Sequence, residues 1–282
     1  MNDETLSQAV EALLVERNLR NMQTARAALQ PGYVLRAATA LKDAKGKIII
    51  GTGFPVEDTF ETDGPVGAMA LYQALERLGA EPVIACAPPL AIELKQHLRV
   101  LMLEAGDLIQ AEAEATTQLQ QLAPAAIVAI ERPGLAENGR YHNMRGEDIT
   151  ARCGFFDPYI NQASCPTIGI GDGGNEIGMG NIASAIAKLD IKASVTTCDE
   201  LVVADVSNWG AYGLIALLAK WSEQDLLAQI DPLAILQLLS ACGSVDGVTR
   251  QNTLTEDGLD AREGLQVIEQ LRQLTGFRER LS

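Results

Sequence analysis

The sequence predicts an α/β protein: a three-layer sandwich in which helices cover both faces of a mostly parallel sheet. Three observations carry that expectation. Apolar runs at 47–50, 82–86, 125–130 and 167–170 have the length of buried strands. Helical periodicity fills the intervals, and strands alternating with helices build parallel sheets. Several runs end in glycine or a carboxylate, at the edge where such sheets hold ligands.

Taken in order, Leu6, Val10, Leu13, Leu14 and Met22 recur at helical spacing, with Asn2 or Asp3 as the cap. Strand 47–50 runs into Gly51-Thr52-Gly53. Asp63 reads as the N-cap of a helix that has Pro65 in its first turn and Gly79 at its end. A second strand is expected at 82–86 and a second helix at 90–104, while 118–121 is a polar helix face. Strand 167–170 leads through a glycine run into a helix ending near Leu189. Residues 194–198 and 201–206 predict one or two more strands, and 208–221, 226–242 and 260–274 the closing helices. No repeat, low-complexity tract or linker interrupts residues 1–282, so one domain is expected.

Composition narrows the function. Hydrophobic residues make up 47% and aromatics 4%, so the core is aliphatic. Lys plus Arg total 22 against 37 Asp plus Glu, a net charge of −15, which opposes nucleic acids and anionic membranes. No stretch approaches the ~20 apolar residues of a membrane span. The acidic N-terminus lacks a signal-peptide pattern. Cys86, Cys153, Cys165, Cys198 and Cys242 are scattered and form no CxxC, as free thiols of a reducing compartment do. A cytoplasmic protein acting on a small anionic molecule is expected, with a homodimer as its one anticipated assembly.

The chemistry should sit where strands end. Gly169, Gly171 and Gly174 satisfy the dinucleotide fingerprint GxGxxG. However, Asp172 stands where a pyrophosphate would meet the helix N-terminus and would repel it, so neither a nicotinamide nor a flavin cofactor is expected. A divalent metal, Mg or Mn, suits the segment better, because hard cations take oxygen ligands. Glu131, Asp172, Glu176 and Asp205 all follow predicted strand ends and are the candidate ligands. Two have a plainer reading: Asp172 as a turn residue, Glu176 as a helix-start acid. Thr52, Gly53, Thr62, Gly173, Gly174 and Asn175 are candidates for holding an anion through hydroxyl, amide and backbone N–H groups. The polar stretch 139–149 supplies Arg140 and Arg145 as carboxylate clamps, His142 as a pocket residue, and Glu147, with Asp63, as a proton carrier. His97 reads as a surface or packing residue, and Asp246-Gly247 and Asp257-Gly258 as turns.

Together, Gly51-Thr52-Gly53-Phe54, Glu61-Thr62-Asp63-Gly64-Pro65, Glu131-Arg132-Pro133-Gly134, Tyr141 with Asn143-Met144-Arg145-Gly146, the run from Gly171 to Gly180, and Val245-Asp246-Gly247-Val248-Thr249 resemble the D-glutamate cyclase C-terminal domain family. The resemblance implies a Rossmann-like α/β sandwich. For some members it implies a hydro-lyase activity, conversion of D-glutamate to 5-oxo-D-proline with loss of water. In those cyclases the domain follows a larger one; a stand-alone domain is expected here. On this reading the metal polarises the attacked carbonyl, Asp63 or Glu147 moves the proton, and Arg140 or Arg145 orients the second carboxylate of an amino dicarboxylate or lactam. Two alternatives use the same cluster: a Mg- or Mn-dependent phosphatase, and a non-enzymatic protein binding a small anion or nucleotide.

Overall fold

The computed structural model describes residues 1–42, 44–104 and 106–278. Six parallel strands form one sheet: β1 (Lys47–Gly51), β2 (Glu81–Cys86), β3 (Val100–Met102), β4 (Ala126–Ile130), β5 (Thr167–Gly171) and β6 (Glu200–Val203), in the order β3-β2-β1-β4-β5-β6. The chain therefore winds outward from β1 through β2 to β3, then returns to the other side of β1 at β4. The crevice opened at that reversal, outside the carboxyl ends of β1 and β4, is where such sheets bind ligands.

Successive strand residues point to opposite faces, and the core divides accordingly. Ile48, Ile50, Val128, Ile130, Ile168 and Ile170 pack with the helices Asp3–Leu14, Tyr33–Lys42, Pro65–Arg77 and Ser207–Ser222. Ile49, Ile127 and Ala129 face the other way, against Ala115 of helix Leu108–Leu122 and Tyr159 of helix Asp157–Asn161. The sandwich with both faces covered is thus the observed architecture. No described helix is long and apolar enough to cross a membrane. Cys86 and Cys153 are buried and Cys165, Cys198 and Cys242 half-buried, all as free thiols; His97 is exposed.

Several elements differ from expectation. The first helix is capped by Asn2, which accepts from the Thr5 N–H at 2.8 Å, but it ends at Leu14. Asn18, Arg20 and Asn21 then adopt left-handed φ values of 55°, 50° and 62°, and Met22 opens a separate helix, Met22–Ala28. The expected helix at 90–104 is only Leu90–Leu94, followed by edge strand β3. After the glycine run the chain makes a 3₁₀ turn, Met179–Ile182, and one short helix, Ala183–Ile186, instead of a helix to Leu189. Of 194–198, Ser194 makes one bridge, to Ala136, and the ladder begins at Glu200.

Asp63 is not the N-cap of the helix that follows it, although its Oδ1 accepts from the Gly64 N–H at 2.8 Å. Helix Pro65–Arg77 starts from Gly64, and its N–H groups at Gly64 and Gly67 donate to Oδ1 of Asn208, at 2.9 and 2.6 Å. Asp63 in turn accepts from the N–H groups of Ser207 and Asn208, at 2.9 and 2.8 Å. Two helix N-termini meet over the sheet, and each is capped by a side chain from the other's entry.

Candidate active site

Strand ends deliver the site. Glu131 follows β4 in a left-handed conformation, φ 44°, a strain that points its carboxylate over the sheet edge. Its Cβ leaves room for no side chain at Gly64: a Cβ there would lie 2.7 Å away. Asp172 follows β5, and Asp63 precedes helix Pro65–Arg77. One carboxylate oxygen from each of Asp63, Glu131 and Asp172 lies within 4.8 Å of the other two, and all three residues are buried. Ser207, at the N-terminus of helix Ser207–Ser222, donates its hydroxyl to Glu131 at 2.6 Å and its N–H to Asp172 at 3.2 Å.

Two further acids join them. Asp257 arrives on a hairpin, Thr255–Glu256 with Leu259–Asp260, whose Asp257-Gly258 turn has φ values of 53° and 78°, as two-residue hairpins require. Glu61 arrives beside the loop that follows Val245, and a Cβ at Gly247 would fall 1.9 Å from its Oε2, so a side chain there would push the Glu61 carboxylate out of its position. Arg20, lodged in the left-handed break after the first helix, pairs with Asp172 at 2.8 Å and Asp257 at 2.6 Å. It also donates to the carbonyls of Asp172 and Asp205, at 3.0 and 2.8 Å.

One guanidinium cannot balance this many carboxylates. Burial first, and then repulsion from neighbouring acids, raises the pKa of Glu61 and Glu131 well above the carboxylate range. Burial raises Asp172 as well, against the pull of Arg20. Asp63 is pushed up to about 6, by burial and then by Asp257, with the Ser207 and Asn208 N–H groups opposing. An oxygen-only set of three converging carboxylates with excess negative charge fits a hard divalent cation.

In front of the cluster lies a cavity of about 510 Å³. Glu61, Glu131, Asp172 and Asp257, with Arg20, line its inner part, or floor, Phe54, Val56, Met144 and Val248 its wall, and Arg145, Arg152 and Arg250, with Glu57 and Glu147, its more exposed mouth. Asn175 also faces it; its Nδ2 is committed to the His142 carbonyl at 2.9 Å, while its buried Oδ1 has no partner.

Other expected residues do different work. Asp205 accepts from the N–H groups of Arg17 and Leu19, at 2.8 and 2.7 Å, so its carboxylate shapes the chain ahead of Arg20 and stands outside the trio. Glu176 is clasped by the Gly173 and Gly174 N–H groups, at 2.9 and 2.7 Å, closing the glycine run on itself; those amides are therefore occupied. Arg140 points to Asp148 at 2.6 Å on the exterior, away from the cavity. His142 spans Asn138 and the Gly146 carbonyl within its own loop. Thr62 donates to the Thr255 carbonyl at 2.7 Å, and Thr52 is buried behind the cavity with an unpartnered hydroxyl. The Gly53 carbonyl takes a bond from buried Arg132. Glu147 reaches the mouth, but Asn143 and Arg250 hold its pKa below the ordinary value, which suits it to pairing rather than to carrying a proton at neutral pH.

The family model described as "D-glutamate cyclase-like, C-terminal" matches residues 10–272. The chain belongs to that family. Human mitochondrial D-glutamate cyclase is 34% identical over 212 residues, which are 66% of this chain and 34% of that protein, so the chain spans about a third of that relative's length. An exopolyphosphatase-related protein from Bacteroides fragilis aligns with a TM-score of 0.41 at 8% identity, over 88% of this chain and 61% of that one, a likeness too distant to bear on the site. The matched span, residues 10–272, contains the positions of every carboxylate of the cluster and of all three mouth arginines.

Proposed function

We propose that this member of the D-glutamate cyclase-like family closes an amino dicarboxylate on itself, converting D-glutamate to 5-oxo-D-proline with loss of water, or running the reverse. One observation carries the reading: a single cavity pairs buried carboxylates on its floor with guanidiniums at its mouth. That polarity draws the ammonium of the substrate inward and leaves a carboxylate at the entrance. Arg145, Arg152 and Arg250 are the groups available to fix it.

Glu61 faces the cavity, and burial with neighbouring acids raises its pKa, which suits it to carry a proton from the attacking amine to the departing water. Holding both ends folds the amine onto its own γ-carboxyl, and such positioning supplies a large share of the rate. Asp63 stands behind the cavity wall and orients Ser207 and helix Ser207–Ser222. Asp63, Glu131 and Asp172 are the residues that would hold Mg or Mn, which when bound polarises the carbonyl under attack.

The test is incubation of the purified protein with D-glutamate, L-glutamate, both 5-oxoprolines and a phosphate ester, with and without Mg or Mn, followed by chromatography. D-glutamate and 5-oxo-D-proline should interconvert, and Glu61→Gln should abolish this. No conversion, alongside turnover of the ester, would replace the reading with the phosphatase. Metal binding is checked separately by melting. A ligand at 100 times its dissociation constant adds about 2.7 kcal/mol, and Asp172→Asn should remove that gain.

A further inference from the structure

The cavity is larger than free glutamate requires, and its mouth carries more guanidiniums than one glutamate carboxylate needs. Pockets of roughly 300–1,000 Å³ take drug-sized ligands, and about 510 Å³ belongs to that class. One guanidinium fork satisfies one carboxylate. At the mouth, Arg250 is already paired with Glu147 at 3.0 Å and Glu57 at 3.4 Å. Arg145 and Arg152, by contrast, form no ion pair among the described residues; each donates to a backbone carbonyl, Val248 O at 3.4 Å and Glu57 O at 2.7 Å. Two guanidiniums outside any close ion pair, Arg145 feeling Glu147 only at longer range, leave places for two carboxylates in a chain of net charge −15. Beside them, Met144 and Val248 are 39% and 51% exposed, an apolar strip on the cavity wall that an α-amino dicarboxylate cannot cover.

From this we propose that the site accepts γ-glutamyl amino acids, with the glutamyl amine and carbonyl over the acidic floor. The glutamyl α-carboxylate and the C-terminal carboxylate of the second residue lie on Arg145 and Arg152, and the second side chain covers Met144 and Val248. The inference rests on the cyclase reading of the same site. The chemistry balances without a co-reactant. The glutamyl amine nitrogen forms its bond to the γ-carbonyl carbon, the amide C–N bond breaks, and the proton lost by the attacking amine ends on the leaving amine. The products are 5-oxoproline and a free amino acid.

The experiment compares kcat/KM for D-glutamate, γ-D-glutamylglycine, γ-D-glutamyl-leucine and γ-D-glutamyl-leucinamide, reading 5-oxoproline and released amine by chromatography with Mn present. The leucine dipeptide should exceed D-glutamate, and should exceed its leucinamide counterpart by about 10-fold, the minimum worth of a charge-assisted hydrogen bond. Arg145→Gln together with Arg152→Gln should collapse the leucine-to-leucinamide ratio towards one. Val248→Asp should erase the preference for leucine over glycine. Turnover of D-glutamate with inert dipeptides overturns this inference alone, as does an undiminished ratio in the double variant. Inertness of every compound overturns it together with the cyclase reading.

Discussion

Arg20→Met isolates the electrostatics of the cluster. The methionine keeps the alkyl stem and the same left-handed backbone position, so packing and backbone strain change little, while the guanidinium goes. It leaves two carboxylates, Asp172 and Asp257, that it held at 2.8 and 2.6 Å, and two carbonyls, of Asp172 and Asp205, at 3.0 and 2.8 Å. The side chain of Arg20 is 22% exposed and its acidic partners 5% and 10%, so solvent recovers little of the loss. Removing one partner of a buried ion pair costs about 3–5 kcal/mol. At roughly 2 °C per kcal/mol in a chain of this size, that is a fall of about 6–10 °C in Tm. The pH dependence has a definite sign. Asp172 already sits above its unfolded value and climbs further without Arg20. An acid raised by folding costs stability only once the unfolded chain can ionise, above about pH 4. The gap between wild type and variant should therefore be small near pH 4 and widen as pH rises towards 8. Calorimetry across that range is the assay. Equal melting temperatures at pH 8, or a gap that widens towards pH 4, would refute the charge balance argued for the site.

Three further outcomes follow from the packing. Asn208→Ala strips the cap from helix Pro65–Arg77 and should cost about 1–2 kcal/mol in urea denaturation; a change of a few tenths would deny the reciprocal capping. Gly64→Ala forces a side chain into φ 89° with its Cβ 2.7 Å from that of Glu131. It should lose about 1–2 kcal/mol to conformation alone, so an unchanged midpoint counts against the fit. Burial, then Asp63, pushes Glu256 up to about 8, so its contribution is complete below about pH 4 and is lost as pH rises towards 8. Melts of Glu256→Gln should accordingly lose less stability than wild type over that interval; parallel curves would show that Glu256 ionises freely.

The sheet was legible because its strands are buried on both faces. Ile48, Ile49 and Ile50 each find a core, so the run has no polar member to obscure it, and β4 and β5 read equally plainly. Edge strand β3 was not. Val100, Leu101 and Met102 are only half-buried, and they continue an apolar pattern that also satisfies a helix. The first helix was over-extended for a related reason. Met22 keeps the periodicity of Leu6 and Leu14, and nothing in composition shows that Asn18, Arg20 and Asn21 will turn left-handed, although two of the three are the residue type that tolerates it best.

That break is also why Arg20 escaped notice. An arginine at the end of an amphipathic helix reads as solvated, and only the tertiary fold, 152 positions along the chain to Asp172, makes it the counter-charge of the site. Strand-end position alone identified Glu131 and Asp172, because a parallel sheet fixes which edge its strands leave from. It could not separate them from Asp205, which follows β6 in the same way. There the carboxylate meets free N–H groups at Arg17 and Leu19 before it meets the cavity. Asp257 shows the converse. Reading Asp257-Gly258 as a turn was correct, since both residues have the positive φ of a hairpin turn. What makes the turn a part of the site is Asp246, which accepts from Thr249, Thr255 and Gly258 at 2.8, 2.7 and 2.6 Å and gathers the whole loop. Turn chemistry and site chemistry therefore do not compete for this residue. The left-handed turn aims the carboxylate of Asp257 at Arg20, and a residue kept for the turn alone would not need a charge there.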